Sequence, residues 1–135
     1  MDLLLAVAIG FVSGLRTFTS LAAIFLARGG VWGYVFGVCA VGEYVADSMP
    51  WIPSRTALPG AGARVVSGAI AGWLIAGAHA GNSTLGIVAG IIGALLGTYG
   101  GHAARLAAIR VIGALPAAIL EDAVAIGIAV IVVTR

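Results

Sequence analysis

Five apolar tracts dominate this chain: Leu3–Ala27, Val31–Ser48, Arg64–Ala80, Thr84–Ala108 and Pro116–Thr134, none with more than two charged residues. A helix that crosses the hydrocarbon of a bilayer needs about 20 mostly apolar residues, and the tracts are of that length. They lack the two-residue alternation of barrel strands, whose lumen-facing positions would be polar. Composition points the same way. The 135 residues are 61% hydrophobic and 9% charged, with mean hydropathy +1.16. A small soluble fold could not bury that much apolar surface, because it leaves a large share of its surface facing water. These features predict a single integral membrane domain over residues 1–135. Its expected form is an all-α, polytopic membrane helix bundle of about five transmembrane helices with glycine-rich packing.

The expected connections are short: Arg28-Gly29-Gly30, a proline-bearing segment from Met49 to Gly62, Gly81-Asn82-Ser83, and a stretch around Val111–Leu115. Lipid supplies little hydrophobic drive between helices, so small residues that let backbones approach take its place. Such stripes read Gly33-x3-Gly37, Gly68-x3-Gly72, Gly86-x3-Gly90 and Gly93-x3-Gly97-x3-Gly101. They suit internal contacts and a self-association face equally, and a homo-oligomer is expected. All seven basic residues are arginine. Five crossings would put the N-terminus on the side of Arg55, Arg64, Arg105 and Arg110, with Arg28 and Arg135 opposite. Retention of basic residues inside then predicts a cytoplasmic N-terminus.

Several further features are read more simply. The start lacks the basic residues and cleavage site of a secretory leader and reads as the first span. Trp32, Tyr34 and Trp51 flank tract ends and are expected as interfacial anchors. A re-entrant segment around Trp51–Pro59 is one reading, and Met49–Arg55, stiffened by two prolines, suits a simple loop or a cap over the polar layer. Cys39 is the only cysteine, so it forms no internal disulfide and reads as a packing residue. The arginines do not cluster, and no nucleic-acid partner is expected.

Ionisable groups inside apolar tracts are the informative positions, since each costs several kcal/mol (~2.5 or more) unless paired, neutralised or hydrated. Glu43 and Asp47 are four apart and share one helix face. Glu121 and Asp122 are adjacent and point about 100° apart on a helix, so they serve different neighbours. Arg16 lies near the middle of its tract. With the second tract ending where the fifth begins, Glu43, Asp47, Glu121 and Asp122 fall at one level, together with Arg64, Arg105, Arg110 and His102. One polar layer is therefore expected. It could be a closed ion-pair network, a water-filled vestibule or a site for a small cation. Oxygen ligands would suit a hard cation, but no His-x3-His or cysteine pair marks a transition-metal site, and no cofactor is expected. His102 suits either packing or proton transfer. His79, at a tract edge, reads as interfacial.

At these residues the chain resembles a family of small bacterial membrane proteins, the domain of unknown function numbered 4126. The resemblance is carried by Gly14-Leu15-Arg16-Thr17-Phe18, Glu43-Tyr44-Val45-Ala46-Asp47-Ser48-Met49-Pro50, His102-Ala103-Ala104-Arg105 and Leu120-Glu121-Asp122-Ala123-Val124-Ala125. Those pieces span nearly the whole chain in the family's order. The chain departs from the pattern at Ser48, where a basic residue is expected, at the missing acid after Pro50, and at Leu115-Pro116 in place of Asn-Pro. The resemblance implies a multi-pass protein of the bacterial cytoplasmic membrane, with Arg16, Glu43, Asp47, His102, Arg105, Glu121 and Asp122 as its signature. It implies no activity.

The expectation is a transporter or channel-like protein for a small cation or a proton-coupled solute, with the lipid bilayer and further copies of itself as partners. Glu43, Asp47 and Glu121 would accept the cation or proton. Asp122 would fix an arginine, and Arg16 and Arg105 would hold the carboxylates in place. The rival reading is a non-catalytic scaffold or accessory subunit of a membrane complex. An intramembrane enzyme has the least support, because no nucleophile–base pair or phosphate-cradling motif is visible.

Overall fold

A computed structural model of the chain describes residues 2–47, 58–79 and 81–135. The expected loop or cap at Met49–Arg55 lies outside them, as does most of the re-entrant segment expected around Trp51–Pro59. Among the described residues every element is a helix: α1 (Asp2–Leu15), α2 (Thr19–Arg28), α3 (Val31–Asp47), α4 (Leu58–Ala78), α5 (Ser83–Leu95), α6 (Gly101–Ile112) and α7 (Ala114–Thr134). A π-helical turn, Leu96–Gly100, joins α5 to α6 without a break in direction. Three segments are long and apolar enough to cross a bilayer: Ala61–Ala78, Ser83–Ile112 and Pro116–Thr134. That is fewer than the five expected. The second tract forms α3, which at 17 residues is not among those three.

The first tract differs more deeply, because it is two helices rather than one. The chain leaves helical geometry at Arg16-Thr17-Phe18 and turns back. Three sets of contacts fix the directions. Gly10 of α1 meets Gly90 of α5, and Gly14 meets Ala94, Gly97 and Thr98, so α1 and α5 run parallel. Gly68 meets Gly90 and Ala94 while Gly72 meets Gly86, so α4 runs antiparallel to both. Ser20 lies against Ser67 and Arg28 against Leu74, so α2 runs with α4 and against α1. The pair α1–α2 is a helical hairpin that enters and leaves from one end of the bundle. Hydropathy measures the length of an apolar tract and is blind to a reversal inside it.

This correction moves the N-terminus. It lies with Arg28, the α4–α5 connection and Arg135 at one end of the bundle, while Arg64, Arg105 and Arg110 lie toward the other. The expected grouping of the N-terminus with those three arginines is overturned, since the first tract returns to its starting side.

Helix α1 is the centre of the bundle. Ala6, Ile9, Val12, Ser13 and Arg16 are buried, with α4 and α5 packed against it and α7 and α2 beyond. The stripe Gly86-x3-Gly90 faces Gly68-x3-Gly72 of α4, and Gly93-x3-Gly97 faces Gly10 and Gly14 of α1. A Cβ at Gly93 would run into the Val7 carbonyl, and one at Gly97 into that of Phe11. These three helices thus meet backbone to backbone, as small-residue stripes permit in lipid. Helix α3 is the outlier. It packs on α2 through Gly33 against Leu26 and through Phe36, stacked on Phe18 and Phe25. A Cβ at Gly37 would meet nothing within 4 Å, so that half of the α3 stripe is open. Trp32 and Tyr34 are exposed near the start of α3, where anchors were expected.

Candidate functional site

Helix rise alone brings the charges to one depth. From the end of the bundle that holds the N-terminus, Leu15 lies 13 residues along α1, Glu43 12 along α3, Arg64 14 back along α4 and Asp122 12 back along α7. At 1.5 Å per residue these distances are all about 18–21 Å. Three helices, α3, α4 and α7, deliver their polar groups to one level, and the hairpin tip at the end of α1 arrives there too.

The tip poses a problem of unmet backbone groups. Ending α1 at Leu15 and starting α2 at Thr19 leaves carbonyls on one side of the break and N–H groups on the other without helical partners. In an apolar interior each unmet group would cost about 2 kcal/mol or more. Phe18 is the N-cap of α2, and its side chain makes no capping hydrogen bond. Glu43 supplies the cap from another helix. Its Oε1 accepts from the Thr17 N–H at 2.8 Å and its Oε2 from the Phe18 N–H at 3.1 Å. Arg64 serves the opposite end: its Nη1 donates to the carbonyls of Gly14 and Leu15 at 2.8 and 2.7 Å. The same guanidinium places Nη2 3.4 Å from Glu43 Oε1. The negative end of α1 thus faces a cation and the positive end of α2 an anion, as the helix dipoles favour.

Three buried serines close the hairpin beneath its tip. Ser13 and Ser20 hydroxyls lie 2.5 Å apart across it, and Ser67 of α4 lies 3.3 Å from Ser20. Ser67 donates to the Thr17 carbonyl at 2.5 Å, and Ser13 to the Ile9 carbonyl at 3.3 Å. Arg16, 1% exposed, turns to the other side and pairs with Asp122. Arg105 of α6 donates to Glu121 Oε2 at 3.3 Å. Glu121 and Asp122 therefore serve different neighbours, Arg105 and Arg16.

Of the residues singled out in the sequence, Arg16, Glu43, Arg105, Glu121 and Asp122 are joined in these contacts. The Asp47 side chain lies outside the described residues. His102 is half-buried on α6 and makes no hydrogen bond or ion pair among the described residues. His79 follows α4, with Nδ1 2.9 Å from the Ile75 carbonyl. No group of three or more His, Cys, Asp or Glu suited to a metal occurs among the described residues.

The serines and Arg64's role at the tip were not foreseen. A signal existed. Ser13, Arg16, Thr17, Thr19 and Ser20 cluster within eight residues of an otherwise apolar tract, and hydroxyl side chains compete for backbone hydrogen bonds and favour caps and turns. One further polar group is buried near the tip. Thr98, in the π-helical turn that packs on Gly14, has its hydroxyl without a partner among the described residues. Such turns often mark functional positions in helices.

Two grooves open beside this layer. One, of about 200 Å³, lies between α1, α6 and α7 and contains the Arg105–Glu121 pair among apolar residues such as Phe11, Leu15 and Ala108. The other, about 300 Å³, lies between the tip and α4, along Thr17, Phe18, Gly62, Ala63 and Ser67. No protein-family model, curated protein or solved structure matches the chain.

Proposed function

We propose that this chain is a small membrane transporter or channel-like protein that moves a proton-coupled solute, with the α1–α2 hairpin as its moving part and Glu43 as its proton acceptor. The observation that carries the reading is the tip. Non-helical backbone at membrane depth is tolerated only where protein buries it or it lines a water-filled cavity. A continuous apolar helix would meet the needs of packing alone, without burying Arg16, Glu43 and Arg64. Broken helices whose half-helix ends meet charged groups near mid-membrane are a recurrent device of transporters. Protonating Glu43 would leave one carbonyl oxygen to accept from the tip, turn the other into a hydroxyl against an N–H group and remove the charge facing Arg64, which loosens the tip and couples a proton to a change of shape. A metal-cation pathway has less support, because Glu43, Glu121 and Asp122 already contact guanidinium or backbone donors.

In this reading five helical regions occupy the bilayer: the hairpin as a re-entrant element, and α3, α4, α5–α6 and α7 as crossings. The arginine-rich end, with Arg64, Arg105 and Arg110, is then cytoplasmic by the retention of basic residues. Both termini face outward. Further copies of the chain provide room for a pathway that so small a bundle lacks.

The test is proton movement in vesicles. The full chain is reconstituted with a pH-sensitive dye inside, and a pH gradient is imposed. Wild type is expected to relax the gradient faster than empty vesicles, and Glu43→Gln is expected to be silent while staying helical and monodisperse. Equal relaxation by wild type and Glu43→Gln sinks the reading. A scaffold role is favoured by one specific observation, that each described intramembrane carboxylate has a guanidinium partner. It predicts no flux from the wild type and co-purification with a constant partner.

A further inference from the structure

The Arg105–Glu121 pair lines an open groove rather than lying under packed side chains. We infer that this groove, between α1, α6 and α7, is a binding site for an amphipathic monocarboxylate, a fatty acid, with its carboxylate on Arg105 and its chain along the apolar wall. The site is separate from the α1–α2 tip and stands whether or not the chain moves protons.

The groove, about 200 Å³, has apolar walls with Arg105 and Glu121 set among them, the combination that a charged head on a hydrocarbon chain requires. Gly100, Gly101, Ala104 and Ala108 form its α6 side, and Ala117 belongs to its α7 side. A pair that only fastened α6 to α7 would be covered by larger neighbours. These residues are too small to close over it, and a Cβ at Gly100 would meet nothing within 4 Å. Gly100 also ends the π-helical turn, a geometry frequent at functional sites. The pair itself is long. Arg105 Nη1 lies 3.3 Å from Glu121 Oε2, against about 2.7–2.9 Å for a charge-assisted hydrogen bond. Arg105 is the more open partner, 18% exposed against 8% for Glu121.

Charge selects an anion. Helix α6 carries His102, Arg105 and Arg110 and no acid. With Arg16 at the end of α1, three guanidiniums are set against Glu121 and Asp122 of α7. Depth then selects a fatty acid over a phospholipid. Glu121 lies seven residues into α7 from Ala114, about 10 Å below the α6–α7 turn at ~1.5 Å per residue. A phosphate stays at the surface with its headgroup, whereas a carboxylic acid reaches this depth as a neutral molecule. Its proton passes to Glu121 as its carboxylate takes Arg105, so no net charge is carried into the hydrocarbon. Phe11, Leu15 and Val124 line the space for its chain, and a longer chain runs out into lipid.

The test holds the chain constant and changes the head. The full protein in phosphatidylcholine nanodiscs is titrated with labelled dodecanoate, dodecyltrimethylammonium or dodecanol, and binding is read above that of empty nanodiscs. Wild type is expected to bind dodecanoate saturably and neither of the others. Glu121→Gln removes the carboxylate that competes for Arg105 and is expected to bind about tenfold more tightly. Arg105→Met with Glu121→Leu should bind none, and neither should Ala108→Phe, which fills the groove and keeps both charges. The site is overturned if wild type shows no saturable dodecanoate binding, if the cation or the alcohol binds equally well, or if folded Arg105→Met/Glu121→Leu or Ala108→Phe binds like wild type. Displacement of dodecanoate by phosphatidylglycerol would assign the groove to a phospholipid and overturn the fatty acid. The readout is equilibrium binding, so absence of proton flux removes the transport reading and leaves this site standing.

Discussion

Replacing Gly90 by alanine tests the central packing claim most directly. Helix α5 meets α4 at Gly90, and the nearest atoms to an added methyl there are all α4 backbone. A Cβ there would collide with the Gly68 carbonyl oxygen and lie 2.9 Å from its carbon and 3.1 Å from the Gly72 Cα. Ordinary carbon–carbon contact is about 3.5 Å, so α4 must retreat by at least about half an ångström. No side chain can rotate out of the way. Overpacking of this kind costs about 1–3 kcal/mol, against a gain of up to about 1 kcal/mol for exchanging glycine for alanine in a helix. The expected net loss is about 1–2 kcal/mol. Gly37→Ala is the matched control, since nothing lies within 4 Å of its Cβ position, and it is expected to be neutral or stabilising by up to about 1 kcal/mol. Both variants are unfolded thermally in one detergent and followed by helical circular dichroism. If Gly90→Ala melts at or above Gly37→Ala, the backbone contact of α4 and α5 is refuted.

Three further outcomes are expected. Ser67→Ala removes the donor to the Thr17 carbonyl and should cost about 1–3 kcal/mol, with faster amide exchange at residues 17–20 than in α4; uniform protection would contradict the serine closure. Replacing Glu121 alone by leucine removes one carboxylate partner of the partly exposed Arg105 and should cost on the order of 1–3 kcal/mol, whereas Arg105→Met with Glu121→Leu should be close to wild type in stability; equal losses in both would show that the pair does more than match charge. In a Cys39→Ser background, cysteines at Arg135 and Ser83 should react with a membrane-impermeant reagent from one side of the bilayer and one at Arg110 from the other; labelling of Arg135 and Arg110 positions from the same side refutes the arrangement of the bundle.

The sequence disclosed composition and depth better than direction. Long apolar tracts marked the helical regions because lipid tolerates only backbone that satisfies itself. Counting residues to Glu43, Arg64 and Asp122 put them at one level because helix rise is constant. The glycines of α4 and α5 announced a contact, although the stripe did not say that Gly10 and Gly14 lay across from Gly93 and Gly97. The reversal at Arg16 was hidden for a physical reason. A break becomes affordable only through partners 26 and 50 residues away along the chain, Glu43 for Thr17 and Arg64 for Gly14, and no local pattern encodes them. The adjacent acids were more legible, since a helical step of 100° sends Glu121 and Asp122 to different neighbours whatever those neighbours are.

The hairpin leaves the ribosome before the groups of other helices that satisfy its bend. Glu43 follows soon, Arg64 and Ser67 later, and Asp122 last of these. Until then a hairpin committed to the hydrocarbon would carry bare carbonyls and amides, which lipid penalises heavily. In the proposed arrangement synthesis and insertion are therefore out of step: the hairpin would wait at the membrane surface or inside the insertion machinery and enter after α7 is in place.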